Sequence, residues 1–113
     1  MTDASSIPEI TPTELKAAMD DGRTPHLLDV RESFERDIAD LPDVGQQHIP
    51  MKKIAEQADD VPRDREVVVY CRSGGRSGQV VQYLRAQGWT DVANLKGGVL
   101  GWREEVDPSL RKY

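Results

Sequence analysis

The order of elements predicts an α/β domain, with a parallel sheet covered by helices on both faces. Three features point to it. Short apolar runs alternate with helical patterns along the chain. Glu66-Val67-Val68-Val69-Tyr70 holds three consecutive valines, the mark of a central strand buried on both faces. Two glycine pairs, Gly74-Gly75 and Gly97-Gly98, follow strand patterns and precede helical ones. At 113 residues the chain has the length of one domain with one hydrophobic core.

The elements follow in order. Residues 1–9 read as a loose lead-in, and Ile10 opens a short strand. Thr11-Pro12-Thr13-Glu14 is a helix start: Thr11 caps, Pro12 suits the first helical position and Glu14 completes a capping box. Leu15, Ala18 and Met19 share one face, and Gly22 suits a left-handed stop. His26 to Val30 reads as a strand, Ser33 to Ile38 as a short helix, and Leu41 to Gly45 as turn chemistry. Gln47-His48-Ile49 is a further short strand, and Met51 to Ala58 a short helix ended before Pro62. After the valine strand, a helix is expected from Ser77 to Gln87 with Val80, Val81 and Leu84 inward. Val92 to Leu95 forms a last strand and Val99 to Val106 a last helix, ended by Pro108. The boundaries that result are a lead-in over 1–9, a domain over 10–107 and a tail over 108–113.

Composition narrows the function. Lys and Arg total 15 against 20 Asp and Glu, a formal charge of -5, which disfavours a general nucleic-acid binder. One cysteine excludes an internal disulfide, so a reducing, cytoplasmic setting is expected. With only His26 and His48 beside it, that cysteine builds no structural zinc site, and neither histidine sits in a pattern that marks a general base. The polar, acidic start lacks the features of a signal peptide. No apolar run approaches the roughly 20 residues needed to span a membrane.

The chemistry concentrates at Cys71-Arg72-Ser73-Gly74-Gly75-Arg76-Ser77, between the valine strand and a helix. In open parallel sheets the reactive loops lie beyond the C-terminal strand ends, where Cys71 stands. Two glycines let the backbone curl so that N–H groups converge on an anion. The helix adds its positive end, and Arg72 and Arg76 add formal charge. Such surroundings move a thiol pKa from roughly 8.5 to between about 3.5 and 7.5. A lone buried cysteine is usually inert, but the glycine pair and the two arginines argue for a reactive one. Ser77 is expected to cap the helix.

At this loop the sequence resembles the rhodanese family. CRSGGRS, residues 71–77, looks like the active-site loop of single-domain rhodaneses. Asp29-Val30-Arg31-Glu32 is similar to the family's early signature, and Leu41-Pro42 with His48-Ile49-Pro50 to its middle segment. Asn94-Leu95-Lys96-Gly97-Gly98 with Trp102 is similar to its closing one. These motifs run in the family's order along nearly the whole chain. The resemblance implies a five-stranded parallel sheet and a persulfide on Cys71. Sulfur would come from a donor such as thiosulfate and pass to a thiophilic acceptor, cyanide in assay. It implies no metal and no organic cofactor. The six residues from Cys71 to Arg76 match the sulfurtransferase loop, whereas related phosphatases and arsenate reductases carry seven. Asp40 to Val44 departs from the family pattern, which bears on partner choice. The segment Gly101 to Tyr113 resembles the tail of rhodanese domains fused to E1-like adenylyltransferases. That implies an alternative, a relay between a cysteine desulfurase and a ubiquitin-like sulfur-carrier pathway.

The remaining candidates are supporting. Asp29 and Arg31 are expected to satisfy loop backbone and one another. Gly97 and Gly98 are expected to bring their loop close to the cysteine loop. Trp102 reads as core packing, Trp89 as a plug between helix and strand, and Lys96 as a solvated lysine.

Overall fold

The computed structural model describes residues 7–113. Five strands form one sheet: β1 (Glu9–Ile10), β2 (His26–Asp29), β3 (Gln47–His48), β4 (Val67–Tyr70) and β5 (Val92–Leu95). Their order is β1-β5-β4-β2-β3 and every pair is parallel. The valine strand β4 lies at the centre with all four residues buried. This agrees with the period-free apolar run, because neither face of β4 meets water.

Alternate residues of β4 feed two cores. Val67 and Val69 join Leu28, Ile54, Val80, Val81 and Leu84 on one face. Val68 and Tyr70 join Leu15, Leu27, Leu95, Val99 and Trp102 on the other. The first core is covered by α3 (Ile54–Gln57) and α4 (Gly75–Ala86), the second by α1 (Pro12–Asp20) and α5 (Gly98–Glu105). Between β2 and β3 runs α2 (Ser33–Ile38).

Helix α1 begins as its sequence dictates. The Thr11 hydroxyl accepts the Glu14 N–H at 3.1 Å, and the Glu14 carboxylate accepts the Thr11 N–H at 2.9 Å. After Asp20 the chain turns through Gly22, where the N–H of Arg23 bonds the Ala18 carbonyl at 2.8 Å. Four expectations shift. The segment Met51 to Ala58 is not one helix: 3-10 turns over Met51–Lys53 and Ala58–Asp60 flank the single turn of α3. Helix α4 starts two residues earlier than expected, at Gly75, and α5 one earlier, at Gly98. Toward the N-terminus, residues 1–6 of the expected lead-in lie outside the described residues. Ile7 is buried, Pro8 accepts the Asn94 N–H, and Glu9 pairs with Asn94 in the sheet. The sheet therefore reaches past the expected boundary at residue 10. Among the described residues, no helix is long and apolar enough to cross a membrane.

Candidate functional site

Cys71 leaves the C-terminal end of β4 and is 1% exposed. Its surroundings are built by the turn into α4. Gly74 takes φ 104° as the residue before the helix, a left-handed conformation open to glycine and costly for other residues. That turn folds the first N–H groups of α4 back over the sulfur. Cys71 Sγ lies 3.1 Å from the Gly74 nitrogen, 3.4 Å from the Ser77 nitrogen and 3.3 Å from Ser77 Oγ. Burial opposes ionisation of the thiol. The Ser77 hydroxyl and the N–H groups of Ser77, Gly74 and Ser73 outweigh it, so the pKa falls below the ordinary thiol value. The loop, and not bulk water, solvates the sulfur.

One site expectation needs correction. Ser77 does not cap α4: Gly74 holds the cap position and Ser77 is the third helical residue. From there its hydroxyl faces the sulfur and also donates to Asn94 Oδ1 at 2.6 Å. The glycine pair distracts from this, because a left-handed Gly74 starts the helix with no side-chain cap. Both loop arginines bring their charge with a partner attached. Arg76 forks onto Glu35 at 2.7 and 2.8 Å, and Arg72 donates Nε to the Tyr113 main-chain oxygen at 2.5 Å.

Glu35 is fully engaged. Besides Arg76, its carboxylate accepts the Glu32 N–H at 2.9 Å and the Tyr113 hydroxyl at 3.1 Å. The Arg76 fork dominates and holds the Glu35 carboxyl at about 2, against the opposing effect of burial. Behind it lies Arg31, fully buried with Asp29 in a two-pronged pair of 2.9 and 2.8 Å. Arg31 also donates to the Ala39 carbonyl at 2.7 Å and to the Tyr113 hydroxyl at 2.9 Å. Asp29 and Arg31 thus satisfy one another and local backbone. Through Tyr113 and Glu35 they connect to Arg76. Residues 108–113, the expected tail, return over the second core, where Leu110 and Tyr113 pack. His48 bonds the Arg31 carbonyl at 2.7 Å and His26 bonds the Gln47 amide at 2.8 Å. Neither touches the cysteine loop through these bonds.

The second glycine loop buttresses the first. The N–H groups of Val99 and Leu100 bond the carbonyls of Cys71 and Arg72 at 2.9 and 3.0 Å. A Cβ on Gly98 would stand 2.4 Å from the Cys71 carbonyl oxygen and 2.7 Å from that of Arg72. Gly97 holds the cap position of α5. Gly75, by contrast, has open space where a Cβ would point, so the two members of the first glycine pair are not equivalent.

Sequence reasoning missed three residues of this constellation: Glu35, Asn94 and Tyr113. Asn94 left a signal, as a polar residue within the apolar strand Val92-Ala93-Asn94-Leu95. Glu35 left a weaker one, as an acid in the first turn of α2. Nothing local marks Tyr113.

Comparison with known proteins gives a consistent result. The family model described as "Rhodanese-like domain" matches residues 11–105. A sulfurtransferase of Allochromatium vinosum is 39% identical over 94 residues, covering 83% of this chain and 86% of that protein. The probable adenylyltransferase/sulfurtransferase MoeZ of Mycobacterium tuberculosis is 36% identical over 106 residues, covering 92% of this chain. This chain spans only 26% of that longer relative. The crystal structure of a rhodanese-like domain protein from Staphylococcus aureus superposes with a TM-score of 0.78 at 29% identity, covering 95% of this chain and 99% of that one.

Proposed function

The chain belongs to the rhodanese-like domain family, and on that premise we propose that it moves sulfane sulfur through a persulfide on Cys71. Sulfur transfer is the family's general activity. The single observation that carries the residue assignment is the set of donors converging on Sγ from Gly74 and Ser77. Such donors stabilise a thiolate, the nucleophilic form of cysteine.

With thiosulfate as donor, the Cys71 thiolate attacks the outer sulfur. The S–S bond of thiosulfate breaks, sulfite leaves with the electron pair, and Cys71 carries the sulfur as a persulfide. Cyanide then attacks the terminal sulfur, thiocyanate departs, and the Cys71 thiolate is restored. No net oxidation of the protein and no cofactor enter this cycle. It requires a thiol kept reduced, in keeping with a cytoplasmic setting.

The test is intact-protein mass after thiosulfate and then after cyanide, for wild type and Cys71→Ser. Gain of one sulfur by wild type alone, reversed by cyanide, is expected, with no loss of fold in the variant. A Cys71→Ser protein that gains sulfur equally would overturn the assignment.

A second reading, a protein-to-protein relay, is favoured by the likeness to the mycobacterial adenylyltransferase/sulfurtransferase. A cysteine desulfurase would then load Cys71 much faster than thiosulfate does. Faster loading by thiosulfate would set that reading aside. Phosphatase or arsenate reductase chemistry is disfavoured by the six-residue loop from Cys71 to Arg76.

A further inference from the structure

Asn94 is 4% exposed on β5, and its carboxamide is satisfied on both sides. Its Nδ2 lies 3.2 Å from the Gly74 carbonyl and 3.3 Å from the Glu9 carboxylate. Both are acceptors with no proton to give, so the nitrogen must face them. The amide orientation is therefore fixed, and Oδ1 must face Ser77.

Ser77 then has one hydroxyl proton and two acceptors. Asn94 Oδ1 lies 2.6 Å from Oγ, and Cys71 Sγ lies 3.3 Å from it. The hydroxyl can serve only one of them at full strength. With a neutral thiol, the shorter bond to Asn94 wins. With a thiolate, the charge draws the proton to sulfur and leaves a buried carbonyl oxygen unpaired, which is costly.

We propose that Asn94 is a positioning residue that holds the Ser77 hydroxyl off Cys71 until the sulfur carries negative charge. The inference rests on Cys71 as the sulfur-carrying nucleophile. In the cycle above, the hydroxyl turns to Sγ in the free thiolate. It returns to Asn94 when Sγ becomes the inner, uncharged sulfur of the persulfide. It swings back as the acceptor takes the outer sulfur and Sγ leaves as thiolate. No proton leaves Ser77 at any step. The competing acceptor also keeps the thiolate from being over-stabilised. A thiolate held by too many donors attacks slowly, because nucleophilicity falls with pKa.

The charged groups around this cluster are few. Glu9 on β1 touches Asn94 directly, while Arg72 of the loop and Arg76 of α4 are engaged by Tyr113 and Glu35. The Ser77–Asn94 contact itself carries no formal charge.

The test is the pH dependence of Cys71 alkylation by iodoacetamide. This reads the thiol whether or not thiosulfate is a donor, so its failure is separable from failure of the sulfur-transfer reading. Asn94→Ala is expected to lower the apparent pKa by about one unit. Its limiting rate at high pH should fall about threefold, following the lower basicity. Ser77→Ala is expected to raise the pKa by about one unit, and in that background Asn94→Ala should add no further shift. Asn94→Leu, with similar volume, repeats the test if Asn94→Ala does not fold. An unchanged or raised pKa without the carboxamide would overturn the proposal, as would an equal shift from Asn94→Ala when Ser77 is already alanine. So would a Ser77→Ala protein with the wild-type pKa.

Discussion

The two glycine loops are one device used twice. In each, a strand ends, a glycine turns left-handed at the cap position, and a helix begins with no side-chain cap: Gly74 before α4 and Gly97 before α5. Each leaves helix N–H groups without partners inside their own helix. The difference lies in what those groups meet. At α4 they meet the sulfur of Cys71. At α5 they meet the carbonyls of Cys71 and Arg72. The first loop thereby aims its donors at a sulfur, and the second is a wall that fixes the first loop's shape. A strand-glycine-helix turn is therefore not a site by itself. It becomes one when its donors are left for something other than the protein's own backbone.

The comparison breaks most completely at the buttress. Gly98→Ala combines φ 60° with a Cβ inside contact distance of two carbonyls. We expect a loss on the order of 3 kcal/mol, which corresponds to about 12 °C in thermal melting, together with loss of sulfur loading. A variant that melts like wild type would show that the two loops are not braced against each other.

The next effect belongs to the first loop alone, which is tied by the Arg76–Glu35 pair. Glu35 ionises at about 2 in the folded chain, below its unfolded value of 4.5. Its contribution is therefore full above about pH 4.5 and is lost as pH falls through about 2. Allowing for water around Arg76, which is 35% exposed, this amounts to about 2 kcal/mol. Unfolding midpoints at pH 7 and pH 3 should separate less in Glu35→Gln than in wild type. Equal separation would deny the pair its role.

The smallest effect divides the first glycine pair. Gly74→Ala should cost about 1–2 kcal/mol through its left-handed backbone. Gly75→Ala, in open space at the first helical position, should change stability by no more than about 0.5 kcal/mol. Similar costs at both positions, measured by chemical unfolding, would mean that the turn is set by something other than Gly74.

What could be read before folding is what is local. The Thr11–Glu14 box, the valine strand and the six-residue cysteine loop each lie within a few neighbouring residues, and the chain adopts them as written. The partners of the loop's charges could not be read this way. Glu35 meets Arg76 across 41 residues, and Arg72 meets Tyr113 across the same separation. Only the packing of α2 and the C-terminal segment around the sheet brings them together. Ser77 was legible as polar chemistry but not as its geometry, because a start of α4 at Gly75 in place of Ser77 decides whether the serine caps a helix or faces a sulfur. Asn94 was visible as an oddity in an apolar strand, yet its meaning depends on β1 and α4 arriving on either side of it.

The bracing of one loop by the other sets an order of events during synthesis. Cys71 is joined to the growing chain before residues 98–100, and until those residues dock the carbonyls of Cys71 and Arg72 lack the N–H partners they have in the folded domain. A domain generally folds as a unit, so before it closes the Cys71 thiol lacks the N–H and hydroxyl donors that lower its pKa. The donors on the sulfur belong to its own loop, and the N–H groups of Val99 and Leu100 hold that loop from behind. The surroundings of the sulfur are thus complete only once the wall behind its loop is in place.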